Sequence, residues 1–147
     1  MDVEIVRKPA FTVVGLPYEG RNEHGEIAAL WEEFRRRSSE VARVVDGAFG
    51  VCEGPGPDGR VRYLAGLAVS EVGTLPKGMS AWTVPAQTYA VFPSTLPRIH
   101  ETYRAIFESW LPAAGRRPAA GPDFELYDER FDLSDPESRF RIFVPLA

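Results

Sequence analysis

Two segments of the chain, residues 4–16 and 81–92, are rich in β-branched and aromatic residues and are bounded by prolines, a pattern typical of β-strands. Apolar residues then recur at helical spacing after each segment. They are Ile27, Leu30, Trp31 and Phe34 in the first half, and Ile99, Tyr103, Ile106, Phe107 and Trp110 in the second. Two shorter strands follow each helix, at residues 49–53 and 61–70 and at residues 124–128 and 139–145. The pattern predicts a strand-helix-strand-strand unit that is used twice.

The two halves also resemble each other in sequence. Pro9-Ala10-Phe11-Thr12-Val13-Val14-Gly15-Leu16-Pro17 matches Pro85-Ala86-Gln87-Thr88-Tyr89-Ala90-Val91-Phe92-Pro93 at Pro, Ala, Thr and Pro, with an offset of 76 residues. Later matches use offsets of 75 (Phe49 to Glu53 on Phe124 to Asp128) and 79 (Arg62 to Leu67 on Arg141 to Leu146). We therefore expect a single domain over residues 1–147, built from pseudo-repeats at 1–73 and 79–147.

A duplicated unit of this kind predicts an α+β fold, with an antiparallel sheet and helices on one side. Each unit covers one sheet face with its own helix, so we expect the opposite faces to frame a cleft between the two modules. Residues 71–80, which are rich in Gly and Pro, are expected to connect the halves. Residues 111–123 have the same character and would form either a lid over one end or an inert loop.

Composition narrows the functional classes. The 147 residues carry a formal net charge of −4, which argues against nucleic-acid binding because phosphate contacts require a basic face. No apolar run is long enough for a membrane helix and the first residues do not form a signal peptide, so the expected location is the cytoplasm. A single cysteine and two histidines exclude a disulfide framework and a multi-Cys/His zinc site, and we expect no cofactor and no metal.

Three local patterns are interpreted as structural. The Gly54–Gly59 segment fits G-x-G-x-x-G, but its two prolines remove amide donors and a strand pattern follows it, which indicates a hairpin loop. Arg35, Arg36 and Arg37 suit the negative end of the first helix dipole. His24, His100 and Cys52 lack the neighbours of a triad or of an activated nucleophile.

Glu125 is the strongest candidate for a functional side chain. In the predicted strand Phe124–Asp128, alternation sends Phe124 and Leu126 to one face and Glu125 and Tyr127 to the other. If Phe124 and Leu126 contact the helix, Glu125 and Tyr127 point into the space between the halves. A carboxyl group there would bind a cation, or would have a raised pKa and exchange protons. The alternative is an exposed glutamate that pairs with an arginine on a neighbouring strand.

Aromatic walls around a carboxylate attract flat cations, and the candidates for such walls are Trp82, Phe92 and Phe143. Ordinary core packing is the competing interpretation for each of these rings. Trp31 and Trp110 lie on the helix stripes, where core packing is the favoured interpretation.

The second half resembles a known family. The residues that carry the resemblance are Gly78-Met79, Pro85 to Phe92, Glu101-Thr102-Tyr103, Trp110-Leu111-Pro112, Gly121 to Tyr127 and Val144-Pro145-Leu146. They are similar to the GyrI-like small-molecule-binding family, also called the AraC effector-binding domain family, and the resemblance covers essentially the whole chain. It implies that Glu125, with surrounding aromatic residues, handles cationic or electrophilic aromatic ligands.

The resemblance implies three alternative functions. The first is a free-standing protein that binds hydrophobic aromatic compounds, cations included, and that sequesters them or informs a transcription-regulator partner. The second is a hydrolase that opens cyclopropane rings of DNA-alkylating natural products, with Glu125 activating water and Tyr127 donating a proton. The third is a protein-interaction module, such as one that shields gyrase.

Arg141 departs from the family pattern, because many relatives carry an acidic residue in this last strand. If Arg141 faces the pocket, it would neutralise Glu125 and allow an anionic or neutral ligand. The charge of the ligand therefore depends on the direction of this side chain.

Overall fold

The computed structural model describes residues 2–147. Its strands are β1 (Glu4–Lys8), β2 (Phe11–Gly20), β3 (Val44–Glu53), β4 (Val61–Val69), β5 (Ser80–Val84), β6 (Gln87–Thr95), β7 (Asp123–Tyr127) and β8 (Arg139–Pro145). Its α-helices are α1 (Glu26–Arg37), α2 (Ile99–Ala105) and α3 (Leu111–Ala113). A π-helical turn (Ile106–Trp110) joins α2 to α3, so that residues 99–113 form a continuous second helical segment. Short 3-10 turns follow α1 (Ser38–Glu40) and precede α2 (Leu96–Arg98).

All eight strands belong to one antiparallel sheet, in the order β1-β6-β8-β7-β3-β4-β2-β5. Strands β1 to β4 of the first half are equivalent to β5 to β8 of the second. Exchanging equivalent strands and reversing the order gives the same order again, so a pseudo-two-fold axis passes between β7 and β3. The edge strands are exchanged between the halves: β1 pairs with β6, and β5 pairs with β2. The α+β prediction of a duplicated unit with an antiparallel sheet is confirmed.

Proline divides each of the long strands that the sequence pattern predicted. Residues 4–16 form parts of β1 and β2, which are separated at Pro9, and residues 81–92 form parts of β5 and β6, which are separated at Pro85. Proline has no N–H for a sheet hydrogen bond, which explains the break at both places. The break lets the two pieces of each predicted strand join opposite ends of the sheet.

The strand registers refine the internal repeat. With the offset of 76 residues fixed by Pro9 and Pro85, the pairing of β2 with β4 and of β6 with β8 requires an offset of 77 between β4 and β8. The pairing of β3 and of β7 with these strands then gives 75 for the central strands. The offset of 79 expected for β4 and β8 is therefore wrong: Arg62 corresponds to Arg139, not to Arg141.

The two faces of the sheet differ in what covers them. On one face, which we call the helix face, α1 packs over β2 and β4, and the second helical segment packs over β6 and β8. The other face has a core of its own, centred on Phe49, Phe124 and Phe143. The sheet curls around this core, so Phe11 on β2 lies 5.2 Å from Phe124 on β7 between ring centroids although two strands separate them.

This arrangement corrects the predicted position of the cleft. We expected the face without helices to frame it, with Phe124 and Leu126 against the helices, whereas both residues belong to the core of the opposite face. The protein fills that face with its own aromatic side chains. The space between the modules lies instead on the helix face, between α1 and the segment after β7, where a cavity opens beside the centre of the sheet. Among residues 2–147, no helix is both long and apolar enough to cross a lipid bilayer.

Candidate functional site

Glu125 lies at the centre of the sheet on the helix face and is only 5% exposed. Its carboxylate accepts three hydrogen bonds from phenols. Tyr63 and Tyr127 both donate to Oε1 at 2.9 Å, and Tyr103 donates to Oε2 at 2.7 Å. A fourth group joins the network, because the Trp31 indole N–H donates to the Tyr63 hydroxyl at 3.0 Å. Strands of both halves and both helical segments thus contribute to one buried polar cluster.

Gly50 makes this cluster possible. Tyr63 lies on β4 and Glu125 on β7, so the tyrosine must reach across the intervening strand β3, and it does so directly above Gly50. A Cβ atom at position 50 would lie 1.9 Å from the Tyr63 hydroxyl and 2.8 Å from Glu125 Oε1. Any side chain at this position would therefore break the bond between Tyr63 and Glu125.

The phenols offset part of the cost of burying a carboxylate. Burial raises the pKa of Glu125, whereas the bonds from Tyr103, Tyr127 and Tyr63 lower it in part. Burial also raises the pKa of each of these tyrosines well above its usual value, and the nearby Glu125 charge adds to the effect. The hydroxyls therefore remain protonated and serve as donors to the carboxylate.

Asp123 brings a second carboxyl group close to this cluster. It lies two residues before Glu125 on the same strand face, opposite Cys52 on β3. Its Oδ1 atom is buried and has no hydrogen-bond partner among the described residues. Burial, together with the charge of Glu125, raises the pKa of Asp123 to about 8. Burial also raises the pKa of the Cys52 thiol, which makes this cysteine a poor nucleophile at neutral pH.

A cavity of about 460 Å³ lies next to the cluster. One wall is the α1 stripe that contains Trp31, and the other is the segment after β7 that contains Phe131. Tyr127 lies between the cavity and Glu125, since its ring lines the cavity and its hydroxyl bonds the carboxylate. The full lining consists of Ala28, Trp31, Glu32, Arg35, Ala48, Leu96, Tyr127, Phe131 and Leu133.

The aromatic walls of the cavity are held in fixed orientations. The Tyr127 ring is stacked on Phe140 with centroids 4.7 Å apart. It meets Phe131 at 5.0 Å and Trp31 at 5.5 Å, edge to face in both cases. Such contacts stabilise one arrangement of the rings around the cavity.

An acidic groove adjoins the cavity. It shares Ala48 and Tyr127 with the cavity and also contains Asp46, Asp128 and Glu129. The register of β3 with β4 shifts between Val44 and Ala48, in the part of the strand that lines this groove. The groove places negative charge beside a cavity whose lining is mostly apolar but includes Glu32 and Arg35.

Residues 1–147 match the family model of the GyrI-like small molecule binding domain. The chain belongs to this family. A curated relative, the transcriptional regulator BrlR of Pseudomonas aeruginosa PAO1, is 41% identical over 151 residues, which cover 99% of this chain and 56% of the relative. The chain therefore spans about half the length of the curated relative that it matches.

Solved structures share the GyrI-like fold. SAV2435 bound to tetraphenylphosphonium superposes with a TM-score of 0.77 at 19% identity, and the match covers 100% of this chain and 94% of that one. EcmrR in its complex with DNA superposes with a TM-score of 0.72 at 10% identity, covering 99% of this chain and 57% of that one. At these identities the likeness establishes the fold alone.

Within this GyrI-like domain, the predicted site residues fall into two groups. Glu125 and Tyr127 lie together in the cluster, 2.9 Å apart between hydroxyl and carboxylate. The other four do not lie there. Phe92 is fully buried beneath the second helical segment, where it meets Trp110. Trp82 and Phe143 pack on the opposite face of the sheet.

Arg141 also lies on the opposite face, and it is exposed there. Its guanidinium group lies 5.6 Å from the Phe143 ring centroid. Alternation along β8 explains this direction, since residues 141 and 143 share the face without helices. Arg141 therefore does not contact Glu125, and Trp82, Phe92, Phe143 and Arg141 are left out of the site.

Sequence reasoning missed several residues of the site. The patterns do not single out Tyr63, they mark Tyr103 only as part of the helix stripe and of the family resemblance, and they favour core packing for Trp31 and a helix terminus for Arg35. A usable signal did exist for α1: Ala28, Trp31, Glu32 and Arg35 form one stripe at helical spacing, which lines the cavity. For Tyr63 the signal is weaker, because its role depends on Gly50 of the neighbouring strand.

Proposed function

We propose that this protein binds hydrophobic aromatic cations in the cavity beside Tyr127, with Glu125 as the buried negative charge that selects them. The observation that carries the proposal is a carboxylate that is 5% exposed and bonded to phenols. In the described part of the chain, no Lys, Arg or His forms an ion pair with it. A buried charge without an opposite charge favours a ligand that supplies one.

The direction of Arg141 supports a cationic ligand over an anionic one. If this arginine faced the site, it would neutralise Glu125, but it lies on the other side of the sheet. Asp46 and Glu129 in the neighbouring groove add further negative charge, whereas Asp128 is paired with Arg130 at 3.2 Å. Cations approaching the cavity therefore meet a favourable field before they are desolvated.

The cavity suits the body of an aromatic ligand. Its volume of about 460 Å³ is within the range of about 300 to 1,000 Å³ that is usual for small-molecule sites. Trp31, Tyr127 and Phe131 offer ring faces and edges to a flat or propeller-shaped molecule. The tetraphenylphosphonium bound by SAV2435 is a ligand of this class, which supports the proposal.

A role in regulation is part of the proposal. The matched region of BrlR is about half of a transcriptional regulator, so we propose that ligand binding here serves a comparable sensing role. The hydrolytic alternative has less support from the site. Glu125 already accepts three hydrogen bonds and is almost inaccessible, so an attacking water would have to displace a phenol to reach it.

The test uses two ions of the same shape and opposite charge. Isothermal titration calorimetry with tetraphenylphosphonium should give a saturable signal, and the ligand should raise the melting temperature. Tetraphenylborate should give neither effect. Equal binding of the two ions, or binding of neither, would contradict the proposal.

A matched pair of variants locates the charge that is responsible. Glu125→Gln keeps the shape of the side chain but removes its charge, and it should weaken tetraphenylphosphonium binding by about 100-fold. Glu108→Gln changes net charge equally at an exposed position of the second helical segment and should bind as the unchanged protein does. If both variants weaken binding to the same extent, the effect is one of overall charge and Glu125 is not the selecting group.

A further inference from the structure

Tyr127 separates the cavity from Glu125. Of the three phenols that bond the carboxylate, Tyr127 is the one whose ring lines the cavity. Its hydroxyl points away from the cavity and is engaged by Glu125 Oε1 at 2.9 Å. A ligand in the cavity therefore meets the phenol ring before it can meet a carboxylate oxygen.

The Tyr127 ring is fixed in this position by its neighbours. It stacks on Phe140 at 4.7 Å, and Phe131 and Trp31 contact it from other sides. Glu125 behind it is 5% exposed. Reaching Glu125 directly would require loss of the Phe140 stack and of the hydrogen bond to Oε1.

The consequence concerns hydrogen bonding. A negative charge behind a ring attracts any cation, because Coulomb attraction has no directional preference and a cation-π contact needs an open ring face but no N–H donor on the cation. Hydrogen bonds, in contrast, need an acceptor atom in reach. Besides the engaged Tyr127 hydroxyl, the lining contains one side-chain acceptor, the carboxylate of Glu32, and this residue is exposed. Cationic N–H groups buried against Tyr127, out of reach of Glu32, would lose water and gain no side-chain acceptor.

We propose that Tyr127 makes the cavity selective for cations without N–H donors, such as quaternary ammonium and phosphonium ions, over protonated amines of the same shape. This inference rests on the proposed function and names the class of ligand more narrowly. Quaternary cations carry their charge on an apolar surface, so they keep the attraction to Glu125 without leaving donors unpaired. The Tyr127 ring, and not the Glu125 carboxylate alone, sets this preference for cations without N–H groups.

The first test uses the unchanged protein and a series of biphenylmethyl ammonium ions. The step from the dimethylammonium to the trimethylammonium ion adds one carbon and removes the last N–H. The step from the trimethylammonium to the ethyldimethylammonium ion adds one carbon and removes none, so it measures the hydrophobic contribution. The dissociation constant, measured by calorimetry, should fall by about tenfold or more in the first step and by about fourfold or less in the second. Equal improvements in the two steps would overturn the inference.

The second test removes the Tyr127 ring that lies between the cavity and Glu125. In Tyr127→Ala the carboxylate is open to the cavity, so the primary biphenylmethylammonium ion can bond Glu125 directly. Its affinity relative to the trimethylammonium ion should rise by at least about tenfold compared with the unchanged protein. Tyr127→Phe keeps the ring and should keep the original preference. This variant therefore distinguishes the effect of the ring from that of the hydroxyl. A relative affinity that is unchanged in a folded Tyr127→Ala variant would contradict the inference.

The two proposals fail in distinguishable ways. If neither the biphenylmethyl ammonium ions nor tetraphenylphosphonium binds, the proposed function is wrong and the inference falls with it. If they bind but the primary and trimethylammonium ions differ only by the hydrophobic contribution, cation binding stands and the role of Tyr127 is wrong. Should Tyr127→Ala be unfolded in a thermal melt, the series with the unchanged protein still decides the question.

Discussion

The two central strands, β3 and β7, occupy equivalent places on either side of the pseudo-two-fold axis, but they carry different side chains on the helix face. Position 50 on β3 is glycine, whereas the equivalent position on β7 is Glu125. On either side, β3 carries Ala48 and Cys52, and β7 carries Asp123 and Tyr127. Of these two strands, β7 thus carries the acid and the Tyr127 phenol, while β3 supplies the space above Gly50 through which Tyr63 reaches the acid.

This difference shows how a duplicated fold forms a single site. Gly50 and Glu125 are paired directly across the axis, so an identical second copy would place two carboxylates against each other. Two buried like charges repel strongly, and one of them would have to be neutralised. Glycine removes the second charge and opens the path for Tyr63 to reach Glu125. The scaffold is nearly symmetric, and the chemistry results from the departure from symmetry.

Filling the space on β3 should have the largest effect. In Gly50→Ala, the added Cβ would lie 1.9 Å from the Tyr63 hydroxyl, so this side chain must leave its place. We expect the free energy of unfolding to fall by about 3 kcal/mol, from overpacking and from the lost bonds of Tyr63. Urea denaturation measures the loss. Gly56→Ala is the control, because its Cβ would meet no atom closer than 3.5 Å. Similar losses in both variants would mean that the space above Gly50 is not required.

Asp123 is a second difference between the two central strands, since the equivalent residue on β3 is Ala48. The pKa of Asp123 is about 8 in the folded protein, against 3.8 as its ordinary value. Between these pH values the folded state holds a proton that the unfolded state has lost, so stability falls as pH rises, by at most about 1.4 kcal/mol per pH unit. The stability conferred by this group is complete below about pH 4 and is lost as pH rises through about 8.

Asp123→Asn should remove this contribution. From pH 5 to pH 7 the unchanged protein should lose about 2 kcal/mol of unfolding free energy more than the variant, as measured by urea denaturation at each pH. Subtracting the variant matters because burial also raises the pKa of Glu125, which gives a slope of the same sign in both proteins. Asp46→Asn, in the exposed part of the acidic groove, controls for net charge. Parallel pH profiles for the unchanged protein and Asp123→Asn would contradict the assignment.

Much of the fold can be predicted from local patterns in the sequence. Alternation and helical spacing identify the repeated unit, and Pro9 and Pro85 bound the same element in both halves. The exchange of β1 and β5 between the halves is not visible in this way. It depends on which sheet edge each short strand reaches after its proline, and that is a property of the assembled sheet.

The site could be predicted only in part, for a related reason. Alternation correctly places Glu125 and Tyr127 on one face, because that relation lies within a single strand. Which face the helices cover is a matter of packing between elements, so the prediction for Trp82 and Phe143 fails and the direction of Arg141 stays open until the structure is known. Tyr63 and Tyr103 come from a strand and a helix far along the chain from Glu125, and no spacing rule connects them with it.

Removing the Tyr63 hydroxyl should have the smallest of these effects and makes the two halves more alike, since the equivalent residue on β8 is Phe140. Tyr63→Phe deletes one donor to Glu125 and the acceptor of the Trp31 N–H, which should lower the free energy of unfolding by about 1.5 kcal/mol. Because the hydroxyl and the carboxylate interact directly, Tyr63→Phe and Glu125→Gln should be non-additive by about 1 kcal/mol in a double-mutant cycle. Tyr89→Phe removes a hydroxyl that bonds Pro85 on the opposite face, so it should be additive with Glu125→Gln. Additivity in both cycles would show that the Tyr63 hydroxyl and the Glu125 carboxylate are not coupled.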